Sequence, residues 1–224
     1  MCPTSNERRK IMESTQFQIT PPENATVLFD GKDLSNWIKG DGGEAEWEVA
    51  DDAMTVVPGT GDIMSKEEFT DFMFHLEFMT PDMPEATGQA KGNSGVFLQG
   101  QYEIQVLDSY GKDVPGKGDC GAIYNQFAPL VNACKPPLQW QTYDAIFRAV
   151  RRDEEGKVIE QARVTVLQNG MVIQNNVQLQ GPTGSAKGSE EVEAGPLRLQ
   201  DHGNEVKYRN IWIVPLPLKG SDKY

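Results

Sequence analysis

A carboxylate and an amide lie two residues apart in an alternating stretch, Tyr102-Glu-Ile-Gln-Val-Leu-Asp-Ser109. In a β-strand, residues i and i+2 point to the same face, so Glu103 and Gln105 share one side and the apolar residues between them share the other. An amide pairs with sugar hydroxyls as donor and acceptor, and a carboxylate accepts protons or holds hydroxyls. The pair predicts a sugar site on this face, with a solvated sandwich face as the plainer alternative.

Polar residues also occupy one side of two other predicted strands. Asn93 and Gln99 flank one of them, and Arg198, Gln200 and His202 alternate with Leu197 and Leu199 in the other. A face that combines acid, amide, guanidinium and imidazole groups is too varied for solubility alone, since lysine and glutamate serve that purpose. A lone histidine is more often structural, but the position of His202 at the end of a strand favours a role in chemistry.

Four further residues have weaker signals. Glu77 shares a strand face with His75, for which a structural role is favoured, and Asp108 follows a strand end, where it could cap a turn or reach the rim of a site. Arg209 could pair with a carboxylate at the site or in a plain salt bridge. Asp201 falls on the apolar side by parity, so we expect it to orient its turn through backbone amides.

Composition narrows the class of partner. The chain has 224 residues, a net charge of −12 and a pI of about 4.6, which argues against nucleic acid or an anionic membrane and is compatible with a neutral, hydroxyl-rich ligand. No stretch reaches transmembrane length, and the first ten residues lack the apolar core of a signal peptide. Cys2 is either incidental or the acceptor cysteine of a lipoprotein.

Short alternating runs separated by Gly, Asn and Asp predict an all-β protein, an antiparallel β-sandwich without long helices. The predicted strands are residues 71–79, 95–99, 102–108, 143–150, 161–168, 171–174, 196–200 and 206–214. Asn169-Gly170 predicts a type I′ hairpin turn. We expect one domain over residues 25–217, a flexible lead-in over 1–24 and a tail over 218–224.

Four ordered segments resemble the 3-keto-disaccharide hydrolase domain family, long called domain of unknown function 1080. They are Leu28-Phe-Asp-Gly-Lys-Asp-Leu-Ser-Asn-Trp37, Gly92-Asn-Ser-Gly-Val-Phe-Leu98 with Tyr102-Glu-Ile-Gln-Val-Leu-Asp108, Gly121-Ala-Ile-Tyr124, and Gly195-Pro-Leu-Arg-Leu-Gln-Asp-His-Gly203 with Tyr208-Arg-Asn-Ile-Trp-Ile213. Each segment is modest alone, but the ordered set is specific, and it spans residues 25 to 217.

The resemblance implies a concanavalin A-like jelly roll of two curved antiparallel sheets with ligands on the concave face. It implies export to the periplasm or cell surface, with the cytoplasm as the alternative. Jelly rolls of this type often hold a structural Ca²⁺, although the sequence has no EF-hand-like run of acidic ligands. Cys120 and Cys134 bracket the third segment, where we expect them to lie close in space and where a disulfide would depart from the family pattern.

The implied activity is cleavage of 3-keto-glycosides. A ketone at C3 acidifies the C2 proton, so a base can remove it, the aglycone leaves from C1 and water adds back. We expect Glu103 and His202 to act as base and acid, in either order, and Arg198 and Asn93 to stabilise developing negative charge.

The remaining candidates would bind the sugar. Gln105 and Gln200 would position hydroxyls, and Glu77, Asp108 and Arg209 are further candidates for substrate contact. Direct hydrolysis by two carboxylates, with Glu77 or Asp108 as the second group, is the alternative reaction. A non-catalytic carbohydrate-binding module is the alternative function, since the same jelly roll serves lectins.

Overall fold

The computed structural model describes residues 19–186 and 188–217. Most of the predicted lead-in, all of the predicted tail and Cys2 lie outside these residues. The described chain contains fifteen strands and one 3-10 helix, Gly88–Ala90. The strands are β1 (Thr26–Phe29), β2 (Trp37–Lys39), β3 (Glu48–Ala50), β4 (Ala53–Thr55), β5 (Ile63–Phe69), β6 (Phe72–Met79), β7 (Ser94–Leu98), β8 (Tyr102–Val106), β9 (Gln141–Arg148), β10 (Arg151–Arg152), β11 (Val158–Glu160), β12 (Arg163–Gln168), β13 (Met171–Gln178), β14 (Gly195–Leu199) and β15 (Lys207–Pro215).

The strands form two main antiparallel sheets. An eight-stranded sheet runs β13-β12-β9-β6-β15-β4-β3, with β1 also paired to β15, and a five-stranded sheet runs β2-β5-β14-β7-β8. Strands β10 and β11 form a separate pair. The prediction of an all-β antiparallel sandwich of the jelly-roll type is confirmed.

Alternating apolar residues from both sheets build the core. Phe74, Leu76 and Phe78 of β6 and Ile104 of β8 are fully buried in one cluster. Each side chain of this size contributes about 1.5–3 kcal/mol when it leaves water. The period-2 pattern therefore predicted correctly which side of β6 and of β8 faces the core.

Strands were predicted best where the alternation is long. The hairpin of β12 and β13 turns through Asn169 and Gly170 with φ of 53° and 79°, as the type I′ prediction requires. Strands β1 to β4 were missed because they have only three or four residues, and β5 was missed because the run Ser65-Lys-Glu-Glu68 interrupts its apolar pattern.

The segment after Cys120 covers the outer edge of β8. Gly121 N donates to the Gln105 carbonyl (2.9 Å), Gln105 N donates to the Ala122 carbonyl (2.9 Å), and Tyr124 N donates to the Glu103 carbonyl (3.1 Å). Gly121 has a φ of 81°, and a Cβ there would lie 2.4 Å from a methyl of Ile173, so only glycine fits. The Gly-Ala-Ile-Tyr segment thus fixes Tyr124 beside Glu103.

The expected proximity of Cys120 and Cys134 is confirmed. Both are free cysteines, and Gln168 Nε2 lies 3.4 Å from the Cys120 sulfur and 3.5 Å from the Cys134 sulfur. A thiol pair held by one amide needs little movement to form a bond, provided that an oxidant removes two electrons and two protons.

We predict that oxidation joins Cys120 to Cys134 and stabilises the fold by about 3 kcal/mol, the chain-entropy value for a short loop. The protein is first oxidised mildly and then unfolded without reductant, and its reactive thiols are counted. One reactive thiol is expected of the three cysteines, and three would rule the bridge out. The control is the reduced protein, in which the two thiols are not joined. A reducing cytosol would likewise leave them unjoined.

Candidate functional site

Four side chains form a row across the five-stranded sheet, on the face turned away from the core. Met64 of β5 pairs with Arg198 of β14, Arg198 pairs with Phe97 of β7, and Phe97 pairs with Glu103 of β8. Cross-strand partners on one face lie close enough for their side chains to touch. The row therefore brings a guanidinium, an aromatic ring and a carboxylate together.

A glycine makes space in the neighbouring row. Gly95 pairs with Gln105 and accepts a hydrogen bond from Gln200 N (3.0 Å). A Cβ at Gly95 would lie 2.7 Å from Glu103 Oε1 and 2.8 Å from the Phe97 ring. The missing side chain is what lets the Glu103 carboxylate lie over the sheet.

The polar groups enclose a cavity of about 40 Å³. Its lining comprises Gln89, Asn93, Glu103, Gln105, Tyr124, Ser185, Gln200 and His202. Five of the residues predicted from the sequence are thus in one place. The volume is close to that of one water molecule, so a sugar ring would have to displace the residues over the opening.

Glu103 is buried although the sequence left open a solvated face. It is 3% exposed, and its Oε2 has no hydrogen-bond partner among the described residues. With the Gln105 amide turned so that its nitrogen faces acceptors, Nε2 donates to Glu103 Oε1 (2.9 Å) and to the Ser94 carbonyl (3.0 Å). Burial raises the pKa of Glu103 to about 7, Arg198 opposes the rise, and Asp62 adds to it.

Arg198, on the next strand but one from Glu103, does not itself line the cavity but contacts Ser185, which does. Its guanidinium lies 3.7 Å from the centre of the Phe97 ring, and Nη1 is 3.2 Å from Asp62 Oδ2. Nη2 donates to the Ser185 carbonyl, whereas Nε is buried without a partner among the described residues. No ion pair within 4.0 Å joins Arg198 to Glu103 in the described part of the chain. The cation and the carboxylate are therefore not paired, and Phe97 lies between them in the row.

An amide network forms the opposite wall. Asn93 Nδ2 donates to the Gln89 carbonyl (2.6 Å), and Asn93 N donates to Asn204 Oδ1 (2.8 Å). Gln200 Oε1 is buried without a partner in the described chain. Gln89 was not predicted, because it lies in the three-residue 3-10 helix before β7, which is too short to show a periodic pattern.

His202 lies at the exposed mouth of the cavity, in the turn after β14. Asp201 holds this turn: its Oδ1 accepts from Gly203 N (2.9 Å), and its Oδ2 accepts from Gly59 N (2.7 Å) and Gly61 N (3.0 Å). The prediction that Asp201 orients the turn through backbone amides is confirmed.

Asp108 lies outside the cavity lining. Its Oδ1 accepts from Tyr110 N (3.1 Å), as an aspartate in a turn does, and its Oδ2 is 3.0 Å from Lys91 Nζ. The turn-capping alternative is the one that the structure bears out. A contact between Asp108 and a substrate stays a prediction.

Glu77 and Arg209 lie on the other sheet, on strands β6 and β15. Arg209 Nε donates to Glu77 Oε2 (2.7 Å), and its guanidinium lies 4.0 Å from the Trp140 ring centre. The structure thus separates this pair from Glu103. Sugar binding by these residues stays a prediction, and it would need a surface separate from the cavity.

His75 has structural contacts beside that pair. Its Nδ1 lies 2.7 Å from Asp144 Oδ1, its Nε2 lies 3.9 Å from Glu77 Oε1, and its ring stacks on Trp212 at 5.1 Å. Burial alone would lower the pKa of His75, but the hydrogen bond with Asp144 and the negative charges of Asp144 and Glu77 outweigh burial and leave the pKa raised.

Because the pKa of His75 is raised in the folded state, protonation of His75 stabilises the fold. The stabilisation is complete at pH values below the ordinary pKa near 6.5, and it is lost as pH rises through the pKa of the folded state. We predict that Asp144→Asn lowers the free energy of unfolding by about 2 kcal/mol at pH 5.5 and by less at pH 8.5. Urea unfolding at several pH values measures this. A pH-independent difference between the two proteins would contradict it, and Asp153→Asn, in an exposed turn, is the control.

The described residues contain no group of three or more His, Cys, Asp and Glu side chains placed to hold a metal ion. A structural Ca²⁺, which the sequence left open, would therefore have no cluster of acidic ligands in this part of the chain. No helix in residues 19–186 and 188–217 is both long and apolar enough to cross a membrane.

Comparison with known proteins supports a carbohydrate-related family. The family model described as the 3-keto-alpha-glucoside-1,2-lyase-like domain matches residues 24–214. A solved structure from Parabacteroides distasonis ATCC 8503, named a "putative glycosyl hydrolase", shares 40% identity over 92% of this chain and 96% of that one, with a TM-score of 0.81. A second structure of that name and organism, at 19% identity, covers 89% and 99% of the two chains with a TM-score of 0.63 and shows the fold alone. No curated protein matches the chain significantly.

The matched region includes every residue that lines the cavity. It also includes both sheets from β1 onward and stops one residue before the end of β15. The chain belongs to the family of 3-keto-alpha-glucoside-1,2-lyase-like domains.

Proposed function

We propose that this protein cleaves 3-keto-glycosides by elimination across C1 and C2 followed by hydration, in the cavity around Glu103. The observation that carries the proposal is a buried carboxylate with an unpartnered oxygen and a pKa raised to about 7 by burial, in the same row of side chains as a buried guanidinium. Such a pair costs stability unless a ligand completes it, which is typical of a site built for chemistry.

Glu103 is the proposed base. A group with a pKa near neutral pH is partly ionised and still basic enough to take a proton, which is the best compromise for general base catalysis. Glu103 would take the C2 proton, which the C3 ketone acidifies. The electrons of the C–H bond then form the enediolate, whose oxygen at C3 carries the negative charge.

Arg198 and Asn93 are the proposed partners of that charge. The free Nε of Arg198 is a buried donor, and donors aimed at a developing oxyanion are worth about 3–4 kcal/mol each. Gln105 and Gln200 would hold the ring hydroxyls, since each carries an amide at the cavity.

His202 is the proposed acid. It lies at the mouth of the cavity, where a leaving aglycone would exit, and it can give a proton to the departing C1 oxygen. Loss of the aglycone leaves a C1–C2 double bond conjugated with the ketone. Water then adds to C1, and C2 takes back a proton, which restores the 3-keto sugar.

The placement of the carboxylates supports elimination over two-carboxylate hydrolysis. Glu77 lies on the other sheet, and Asp108 is occupied by Lys91 and a turn amide. Hydrolysis of that kind needs a second carboxyl group about 5–9.5 Å from the first and facing the same bond. Neither residue expected to supply it lines the cavity.

The test is incubation with a 3-keto-glucoside carrying a chromogenic aglycone. Release of the aglycone together with free 3-keto-glucose is expected. Binding of the substrate without any release would overturn the proposal in favour of the carbohydrate-binding module. Boiled protein and Glu103→Gln are the controls. A periplasmic or cell-surface location is proposed on family resemblance alone.

A further inference from the structure

Asp62, which immediately precedes β5, contacts two parts of the candidate site at once. Its Oδ2 lies 3.2 Å from Arg198 Nη1, and its Oδ1 accepts a hydrogen bond from Asp201 N (2.9 Å). The first contact holds the guanidinium beside the cavity. The second holds the backbone one residue before His202.

The contact with Asp201 is reciprocal. Asp62 binds the backbone of the turn after β14, while Asp201 binds the backbone amides of Gly59 and Gly61, which precede Asp62. The loop before β5 and the turn after β14 are thus joined by hydrogen bonds from two carboxylates. The turn that carries His202 cannot shift without breaking three hydrogen bonds.

Arg198 needs such a holder because of what lies opposite. Without Asp62, the buried guanidinium would be drawn towards Glu103, the other carboxylate whose charge acts on it. Asp62 takes Nη1 and the Ser185 carbonyl takes Nη2, so the guanidinium stays over Phe97. This arrangement leaves Arg198 Nε and Glu103 Oε2 both buried and unpartnered among the described residues.

We propose that Asp62 is a positioning residue of the site, whose carboxylate keeps the Arg198 guanidinium off Glu103 and fixes the turn that carries His202. This inference rests on the proposed function for its catalytic readout. Its structural content, however, concerns only the geometry and ionisation of Glu103.

Asp62 also bears on the ionisation of Glu103. The charged or titratable groups around that carboxyl are Arg198 from β14, Asp62 from the loop before β5, His202 from the turn after β14 and Tyr124 from the edge segment. After burial, which raises the pKa of Glu103 to about 7, Arg198 lowers it and Asp62 raises it. Loss of the Asp62 charge is therefore expected to lower that pKa, because it removes a repelling anion and frees the cation.

Asp62→Asn tests this point, since asparagine retains an oxygen for Asp201 N and loses the charge. The acid limb of the pH profile of kcat/KM is expected to move to lower pH. An NMR titration of the Glu103 carboxyl, with ¹³C-labelled glutamate, is expected to move in the same direction. Asp33→Asn, in the exposed loop before β2, is the matched control and is expected to shift neither.

Asp62→Ala and Asp62→Glu complete the set. Alanine removes both contacts and is expected to lower kcat by about 100-fold, the cost of misplacing a catalytic group by about 1 Å. Glutamate retains the charge, so Asp62→Glu is expected to have a higher kcat than Asp62→Ala and the same pH profile as the parent. If Asp62→Asn proves unstable, Asp62→Glu alone still separates charge from shape through the NMR titration.

A Glu103 titration that is unchanged in Asp62→Asn would overturn the inference, whatever the activity. A shifted titration in a protein that releases no aglycone from 3-keto-glycosides would instead retain the role of Asp62 and remove the proposed function. Failure of the role of Asp62 and failure of the proposed function therefore give different results.

Discussion

Glu103→Gln is expected to abolish turnover of a 3-keto-glucoside while the protein stays folded. Glutamine matches the shape of glutamate but cannot accept a proton, so the C2 hydrogen has no base. General base catalysis contributes about 10²–10⁴-fold, and a loss of at least about 1000-fold in kcat is expected. The measurement is initial rates of aglycone release under saturating substrate.

Folding of the same variant provides an internal check, because the pKa of Glu103 is raised to about 7. A raised carboxyl pKa means that the folded state binds the proton more tightly than the unfolded state. The contribution of Glu103 to the free energy of unfolding is therefore greatest below pH 4.5 and is lost as pH rises from 4.5 through 7. Glu103→Gln lacks this loss, so above pH 7 the variant is expected to be more stable than the parent, by up to about 3 kcal/mol.

Glu68→Gln is the matched control for both measurements. Glu68 lies exposed on β5 of the same sheet, so the change should leave both the rate and the pH dependence of stability as in the parent. A Glu103→Gln protein that retains most of the parent kcat would show that Glu103 is not the base.

Discrimination between a 3-keto-glucoside and its unoxidised parent is expected to be at least about 1000-fold in kcat/KM. An ordinary glycoside has no acidic C2 proton, so a base with a pKa near 7 gains little from it. It also offers no enolate oxygen to Arg198 and Asn93, and one well-placed donor to such an oxygen is worth about 10²–10³-fold. Both sugars are compared with the same aglycone.

The outcome separates two accounts of the site. Equal turnover of the two sugars would contradict the family-based assignment as well as the elimination. A matched binding measurement on the unoxidised glycoside is the control, because it shows whether the difference arises in binding or in the chemical step.

Local pattern predicted the polar face of β8 but not its burial. The alternation around Glu103 and Gln105 fixes which way these side chains point. Their burial is caused by chain that is distant in sequence, the edge segment 121–127 and the residues around Thr183, whose hydroxyl accepts from Glu103 N (3.1 Å). Such covering contacts leave no periodic signal.

The alternation of side chains along a strand also does not show to which sheet the strand belongs. Glu77 does point away from the core, as the alternation of β6 requires, but β6 pairs with β9 and β15 and not with β8. Sheet membership depends on long-range pairing, and one sequence shows little of it. Asp62 was missed for a similar reason, because its contacts are made with residues almost 140 positions away.

The most direct test of the central claim is cleavage of a 3-keto-glucoside in D₂O, followed by analysis of the released sugar. Elimination and hydration through Glu103 pass through a species without a C2 hydrogen, so the product is expected to carry one deuterium at C2. The reaction is quenched early. Incubation of 3-keto-glucose with Glu103→Gln in D₂O measures how much of the C2 hydrogen exchanges in solution, and this amount is subtracted. Release of the aglycone with no deuterium at C2 would contradict the mechanism and favour direct hydrolysis.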